Sequence, residues 1–226
     1  MPPVANSPSV LIAGAGGLVG RQLLDQLLAD RHTGTVHALL RRDVPGLPAS
    51  PRLRRQLIDF ARPPALPRAR ELYVTLGTTI KVAGSQAAFR AVDCDAVVNV
   101  ARAARQAGVT HMAVVSALGA DARSRVFYNR VKGEMEDHLA ALGFERLVIA
   151  RPSLLAGARA ALGQPSRAGE QLALALLAPI GRLLPERMRP ISTAVVARAM
   201  LRALRHDGPT VQIIESGELQ HLGRTP

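Results

Sequence analysis

Short apolar runs alternate with amphipathic segments along the first two thirds of the chain. Six runs have the length and composition of strands, and they cover residues 9–16, 35–40, 54–59, 71–77, 111–119 and 144–152. Leucine at helical spacing after the first run, and longer helical patterns over 85–108 and 126–143, predict helices between the strands. This alternation predicts an α/β fold with a doubly wound parallel sheet covered by helices on both faces.

The pattern loosens after Pro152. Helices are predicted near 168–184 and over 192–205, and a last strand over 211–215. These residues are too few for an independent domain. We therefore expect a single domain over 1–226, in which residues from about 152 to 226 form a small cap on the substrate side.

The chain is strongly basic, with 29 Lys and Arg against 17 Asp and Glu and a formal net charge of +12. A basic run between Arg41 and Arg70 raises the alternative of nucleic-acid binding, which requires a positively charged surface. However, aromatic residues make up only 3% of the chain and Trp is missing, so rings on which bases can stack are scarce. A solvated basic face is the favoured interpretation, and nucleic acid is not predicted as the main partner.

The remaining composition predicts a soluble cytoplasmic protein without a metal. No apolar run approaches the roughly 18 residues that span a membrane, and no basic segment precedes an apolar one at the N-terminus. The single cysteine, Cys94, cannot form an internal disulfide and is predicted to be a core residue. The six histidines show no metal-ligand spacing. A monomer and a homodimer both remain open, as does a protein partner.

The first predicted strand ends in the turn GAGGLVG, and a helix follows directly. Gly14, Gly17 and Gly20 match the spacing GxxGxxG, with Leu18 and Val19 inside the motif. Glycine at these places permits a tight turn, close approach of a pyrophosphate to the backbone, and close packing of helix on strand. The motif predicts a dinucleotide site. The alternative is a tight turn that binds no ligand.

The second predicted strand ends at Arg41 and Arg42, where an acidic residue would bind the ribose 2′-hydroxyl of NAD. A guanidinium group instead binds the 2′-phosphate of NADP, so the sequence favours NADP(H). The alternative is that both arginines are solvated loop charges. Asp59, after the third strand, can accept a hydrogen bond from the adenine amino group or can cap the next segment.

Tyr128 and Lys132 lie four residues apart on a predicted helix and therefore share a face. A free tyrosine has a pKa of about 10, and a neighbouring ammonium group favours the phenolate, which makes proton exchange easier near neutral pH. Ser116, at the end of the fifth strand, can donate a hydrogen bond to a substrate carbonyl. The alternative for the Tyr–Lys pair is an ordinary exposed helix pair.

The segments GAGGLVG, VVSALGAD and YNRVK, in this order and spacing, resemble short-chain dehydrogenase/reductases of the extended and atypical kinds. LGTTIKVAGSQAAFRAVD, followed by the later segments and ARPSLLAG, resembles the Tat-interacting-protein (CC3)-like branch of the atypical members. The resemblance implies a Rossmann fold, NADPH binding, and a catalytic set that falls on Ser116, Tyr128 and Lys132.

The resemblance further implies that two segments line the cofactor. The first is Leu76, Gly77 and Thr78, and the second runs from Pro152 through Leu154 to Leu155. The predicted function is NADPH-dependent reduction of a carbonyl on an unidentified small molecule. The alternative is a regulatory or sensor protein that binds NADPH with little or no turnover, because this branch includes members with regulatory roles.

Overall fold

The central element is a sheet of seven parallel strands. The computed structural model describes residues 7–156, 185 and 188–224. The strands of the sheet are β1 (Val10–Ala13), β2 (Val36–Leu40), β3 (Leu53–Leu57), β4 (Glu71–Val74), β5 (His111–Val115), β6 (Arg146–Arg151) and β9 (Val211–Glu215). Their order is β3-β2-β1-β4-β5-β6-β9. From β1 the strand order runs outward through β2 to β3 on one side, and from β4 it runs outward to β9 on the other. The order therefore reverses between β1 and β4, which confirms the predicted doubly wound fold.

The described residues form seven α-helices that flank the sheet. They are α1 (Leu18–Ala29), α2 (Ile80–Ala83), α3 (Gln86–Arg90), α4 (Ala96–Gln106), α5 (Phe127–Ala140), α6 (Thr193–Arg205) and α7 (Ser216–Arg224). A π-helical turn, Ala91–Asp95, joins α3 to α4 without a break in the helical path. The single helix predicted over 85–108 is therefore present, but it contains one wider turn.

Alternating residues of the central strands supply two cores, one on each face of the sheet. On one face Ile12 packs in the same cluster as Leu23 of α1 and Met200 of α6. On the other face Leu11 packs in the same cluster as Val97 of α4 and Met135 of α5. The central strands β1, β2, β4, β5 and β6 thus bury both of their faces, which explains why these segments lack the apolar–polar alternation of a one-sided sheet, whereas the edge strands β3 and β9 are partly exposed.

The parallel register brings the carboxyl ends of the central strands to one edge. Ala13 of β1 pairs with Leu39 of β2 and with Val74 of β4. The glycine turn, the arginines after β2 and the Leu76–Thr78 segment therefore leave the sheet side by side. This edge is where ligands bind in open α/β sheets.

The C-terminal part of the chain adds to this sheet. The predicted strand 211–215 is β9, which pairs in parallel with β6, and the predicted helix 192–205 is α6. A short pair of strands, β7 (Leu155–Ala156) and β8 (Ile191–Ser192), and helix α7 carried no clear sequence signal. The helix expected near 168–184 lies outside the described residues, so the small cap stays a prediction.

Candidate cofactor and substrate site

The glycine turn has the geometry that its spacing predicts. Gly14 has a φ of 96°, and a Cβ there would lie 2.6 Å from the backbone carbon of Thr75. A Cβ on Gly20 would overlap the carbonyl oxygen of Gly14. Gly17 donates its N–H to that same oxygen at 2.9 Å. Gly14 and Gly20 are therefore required for the packing of α1 against the end of β1, and Gly17 closes the turn through its N–H.

The N-terminus of α1 is open to an anion. Gly17 is the N-cap residue, no side chain caps the helix, and its first turn contains no acidic residue. The free N–H groups and the positive end of the helix dipole therefore have no competing carboxylate in the first turn of the helix. Leu18 is half-buried and Val19 is buried, so Val19 anchors the turn in the core.

Thr75 supports the glycine turn from the neighbouring strand. Its hydroxyl donates to the carbonyl oxygen of Gly14 at 3.1 Å and lies 3.3 Å from that of Ala13. Thr75 is therefore a part of the site that sequence reasoning missed. The signal for it was its position directly after β4, in the segment next to the expected cofactor-lining residues.

Arg41 and Arg42 lie directly after β2 and are both exposed. Within the described part of the chain, neither guanidinium group forms a hydrogen bond or an ion pair. The loop that follows is held by Arg21, whose guanidinium donates to the carbonyl oxygens of Pro45 at 2.9 Å and Gly46 at 3.1 Å. The two arginines thus project from an anchored loop beside the glycine turn.

Asp59 follows β3 and is exposed. Its Oδ1 accepts a hydrogen bond from the N–H of Ala61 at 2.8 Å. The capping of the next segment, one of the two alternatives for this residue, is therefore observed. Adenine binding by its second oxygen stays a prediction.

Lys132 is buried next to an acidic residue that sequence reasoning missed. Its Nζ lies 2.7 Å from Oδ1 of Asp93, and the two side chains are 4% and 1% exposed. The other oxygen of Asp93 accepts the N–H of Thr78 at 2.8 Å. Asp93 thereby connects Lys132 to the segment of Leu76, Gly77 and Thr78. The signal was an acid at helical spacing between Phe89 and Val97, on an otherwise apolar face.

Tyr128 lies one helical turn before Lys132 on α5 and is half-buried. The centroid of its ring is 5.3 Å from the ring centroid of Phe89, and the ring centroids of Phe89 and Phe127 are 6.0 Å apart. These contacts fix the plane of the phenol. Among the residues that the structure describes, no group bonds the Tyr128 hydroxyl, so that hydroxyl is available to a ligand.

Ser116 is also buried, but its hydroxyl hydrogen is engaged. The Ser116 hydroxyl donates to Oε1 of Glu136, a buried residue one turn beyond Lys132 on α5. Arg151 at the end of β6 binds both oxygens of Glu136, at 3.0 and 2.5 Å, and reaches Glu215 at 3.1 Å. The hydrogen bond with Glu136 raises the pKa of Arg151 above its usual value. Sequence reasoning missed this carboxylate and its arginine.

The remaining predicted cofactor-lining residues are at the same edge of the sheet. The carbonyl oxygen of Pro152 accepts the N–H of Leu118 at 3.0 Å, which joins the loops after β5 and β6. The carbonyl oxygen of Leu154 accepts the N–H of Ile191 at 3.0 Å. Cys94, beside Asp93, is buried, and burial raises the pKa of its thiol to about 11.

Among the residues that the structure describes, no cluster of three or more His, Cys, Asp or Glu side chains is arranged to hold a metal ion. In the same residues, no helix has the length and apolar character needed to cross a bilayer.

A family model and full-length relatives both match this chain. Residues 14–207 match the NAD(P)H-binding family. The mitochondrial protein FMP52 of Eremothecium gossypii is 32% identical, over 95% of this chain and 96% of that protein. Protein HTATIP2 of Rattus norvegicus is also 32% identical, over 96% of this chain and 89% of that protein.

Solved structures with the same fold are more distant in sequence. MoeE5 in complex with UDP-glucose and NAD has a TM-score of 0.69 at 16% identity, covering 91% of this chain and 75% of its own. A UDP-galactose 4-epimerase has a TM-score of 0.68 at 15% identity, covering 91% and 76%. These likenesses show the Rossmann-type fold alone.

One prediction is corrected by the relatives. The sequence predicted a cytoplasmic protein, but FMP52 is named a mitochondrial protein in Eremothecium gossypii, Debaryomyces hansenii, Emericella nidulans and Coccidioides immitis. The cytoplasmic prediction is therefore contradicted. It rested on a missing export signal and a single cysteine, neither of which specifies a compartment.

The glycine turn, the parallel sheet and the relatives together show that this chain belongs to the NAD(P)H-binding, atypical short-chain dehydrogenase/reductase-like family that includes HTATIP2 and FMP52.

Proposed function

We propose that this protein is an NADPH-dependent oxidoreductase that reduces a carbonyl group of a small molecule. The observation that carries the proposal is the position of Lys132. It is buried on the face of α5 that also holds Tyr128, and Asp93 connects it to the Leu76–Thr78 segment next to the glycine turn. A proton donor and a cofactor-lining segment are thus linked through one buried ion pair.

The residues present fit a dinucleotide. The N–H groups at the start of α1 would hold the pyrophosphate, because Gly17 brings no side chain between them and a phosphate. Arg41 and Arg42 would bind the 2′-phosphate of NADP, which two guanidinium groups without other partners in the described chain are suited to do. Leu76–Thr78, Pro152 and Leu154 would line the nicotinamide half.

The reaction requires a hydride and a proton. A bound nicotinamide would supply the hydride to the carbonyl carbon. The Tyr128 hydroxyl donates its proton to the carbonyl oxygen, so the product is an alcohol and Tyr128 becomes a phenolate that regains a proton from water. Lys132 would hold the cofactor ribose, and it lies one helical turn from the phenol on α5. Ser116 orients the carbonyl only if its hydroxyl turns away from Glu136.

Calorimetric titration with NADPH and NADH tests the cofactor assignment. We expect NADPH to bind more tightly, and Arg41→Ala or Arg42→Ala to lose about tenfold in NADPH affinity or more, since a charged hydrogen bond contributes about 1.5–3 kcal/mol. NADH affinity should change little. Arg62→Ala removes an exposed arginine from the same basic run after β3 and serves as the matched control. Equal affinity for both nucleotides in the unaltered protein would contradict the NADP assignment.

A second candidate function is cofactor sensing without turnover, and the contact of Ser116 favours it. The Ser116 hydroxyl hydrogen points to Glu136, which leaves no donor from this residue for an oxyanion. Tyr128→Phe separates the two functions. For a reductase we expect turnover of a responsive carbonyl to fall by about 100-fold or more while NADPH affinity is kept. Unchanged NADPH binding with no turnover of any carbonyl in a broad panel would favour sensing.

A further inference from the structure

The buried Lys132–Asp93 pair affects Tyr128 as well as the cofactor. An ammonium group one helical turn from a tyrosine stabilises the phenolate and so favours loss of the phenol proton. Here a carboxylate oxygen lies 2.7 Å from that ammonium, and water is excluded from both groups. In a buried environment this carboxylate cancels much of the field that Lys132 would exert on Tyr128.

The π-helical turn places the carboxylate there. Asp93 is the middle residue of Ala91–Asp95, and its neighbour Asp95 is exposed while Asp93 is buried. π-helical turns inside α-helices are rare and occur often at functional sites. The turn thus directs one acid of the pair inward to Lys132 and leaves the other at the surface.

The other charged groups near these residues have partners of their own, and Arg130 of α5 donates to the carbonyl oxygen of Ser124 at 2.9 Å and lies over the Phe127 ring. Arg90 of α3 forms an ion pair with Glu134 of α5 and contacts Asp95 at 4.0 Å. Glu136 of α5 is bound by Arg151. The Cys94 thiol has its pKa raised to about 11 by burial and is neutral at physiological pH. Among the described residues, Asp93 is the charged group that forms an ion pair with Lys132.

We propose that Asp93 is a positioning residue that offsets the charge of Lys132 and so limits how strongly this charge acts on the Tyr128 phenol. This inference rests on the proposed function, because it concerns the proton donor of the same site.

The composition of the chain allows a direct test without cofactor or substrate. The protein has two tyrosines and no tryptophan, so absorbance near 295 nm, where tyrosinate absorbs, reports tyrosine ionisation alone. Tyr73 is fully buried, and burial raises its pKa well above 10. A Tyr73→Phe background leaves Tyr128 as the single tyrosine.

In this background we compare Asp93→Asn with Asp95→Asn. Asp95→Asn is the matched control, because it makes the same chemical change in the same π-helical turn at an exposed position. We expect the tyrosinate signal to appear about one pH unit lower in Asp93→Asn, because a buried ammonium without its counter-charge stabilises the phenolate. The Asp95→Asn titration should match the background, since its charge is screened by solvent.

A double variant distinguishes a charge effect from a folding defect. Asp93→Asn with Lys132→Gln removes both charges and should return the tyrosinate signal to the pH of the background protein, with far-ultraviolet circular dichroism reporting the fold. Two results overturn the inference: a titration of Asp93→Asn that matches the background, or a double variant that stays shifted with Asp93→Asn.

The outcome is separable from that of the proposed function. A shifted titration in a protein that reduces no carbonyl supports the charge offset and rejects the redox role. An unshifted titration in a protein that does reduce carbonyls rejects this inference and leaves the proposed function standing. Where a responsive carbonyl is found, reductive turnover by Asp93→Asn should decline at a lower pH than turnover by Asp95→Asn.

Discussion

At the scale of single residues, the glycines of the turn differ in what a methyl group would meet. A Cβ on Gly17 would lie 3.4 Å from the Gly14 carbonyl oxygen, which is an ordinary contact, and Gly17 has a φ of −81°. A Cβ on Gly20 would overlap that same oxygen. Gly17 is therefore needed for the ligand, and Gly20 is needed for the packing of α1 on β1.

This difference gives a paired prediction. Gly17→Ala should keep the melting temperature within a few degrees of the unaltered protein but weaken NADPH binding about tenfold or more, because the added methyl group stands where a phosphate would approach. Gly20→Ala should lower the free energy of unfolding by about 1–3 kcal/mol, the usual cost of overpacking. Thermal melts and calorimetry on both variants provide the measurements. Equal loss of stability in the two variants would contradict this division.

At the scale of elements, a charged cluster joins α1, β4 and α6 at the amino edge of the sheet. Arg205 of α6 binds Asp30, which follows α1, at 2.5 Å and Glu71 of β4 at 2.8 Å. The Tyr73 hydroxyl donates to Glu71 at 2.9 Å. Burial and the Glu71 carboxylate raise the pKa of Tyr73. Burial lowers the pKa of Arg205, but its bonds to Glu71 and Asp30 outweigh burial and raise it above its usual value. The cluster holds three distant segments in one arrangement, away from the candidate site.

The pKa of Asp30 makes this cluster sensitive to acid. Burial raises the pKa of Asp30, but hydrogen bonds from His32, Thr33 and Arg205 outweigh burial and hold it below its usual value. A carboxyl whose pKa is lower in the folded state stabilises the fold above the unfolded pKa of about 3.9, and this contribution is lost as the pH falls through the folded value. Asp30→Asn should therefore cost about 2 kcal/mol at pH 7.

The cost of Asp30→Asn should shrink as the pH falls below about 4, where the unaltered protein also loses its carboxylate. Urea unfolding at a series of pH values measures this difference. Asp25→Asn, which makes the same change on the exposed side of α1, is the control and should have little effect at any pH. A cost of Asp30→Asn that is independent of pH would contradict the assigned electrostatic role.

At the scale of the whole molecule, the proposed ligand contacts loops from both halves of the sheet. The glycine turn and the arginines belong to the β1–β2 half, whereas Tyr128, Lys132, Pro152 and Leu154 belong to the half that contains β5 and β6. A ligand that binds only the folded state stabilises it by mass action. NADPH should therefore stabilise the whole sheet in a single cooperative transition.

The expected effect is a rise in melting temperature. At NADPH concentrations about 100 times its dissociation constant the stabilisation is about 2.7 kcal/mol, which for a chain of this size corresponds to roughly 5–10 °C. NADH at the same concentration should give a smaller rise, and Gly17→Ala should reduce the rise with NADPH. A melting temperature that does not respond to either nucleotide would contradict dinucleotide binding.

Local sequence patterns were sufficient for most elements of the fold. The glycine turn, α1 and the strands of the main sheet follow from features that are close together in the chain, namely apolar runs, helical leucine spacing and glycine at fixed offsets. The predicted strand 71–77 ends earlier, at Val74, and the hydroxyl of the next residue, Thr75, bonds the glycine turn. Helix α7 and the short strands β7 and β8 lacked a local signal.

The fold class, the glycine turn and the pair Tyr128–Lys132 could be predicted from the sequence, because each depends on backbone preferences or on spacing within one element. Which charges meet depends instead on how the elements pack. The Asp93 carboxylate forms an ion pair with Lys132, and the Glu136 carboxylate accepts hydrogen bonds from Ser116 and Arg151. No periodic pattern encodes the sequence separations between these partners. Buried polar groups must find partners wherever the packing of elements brings them together, so the electrostatic setting of the site is a property of the folded chain.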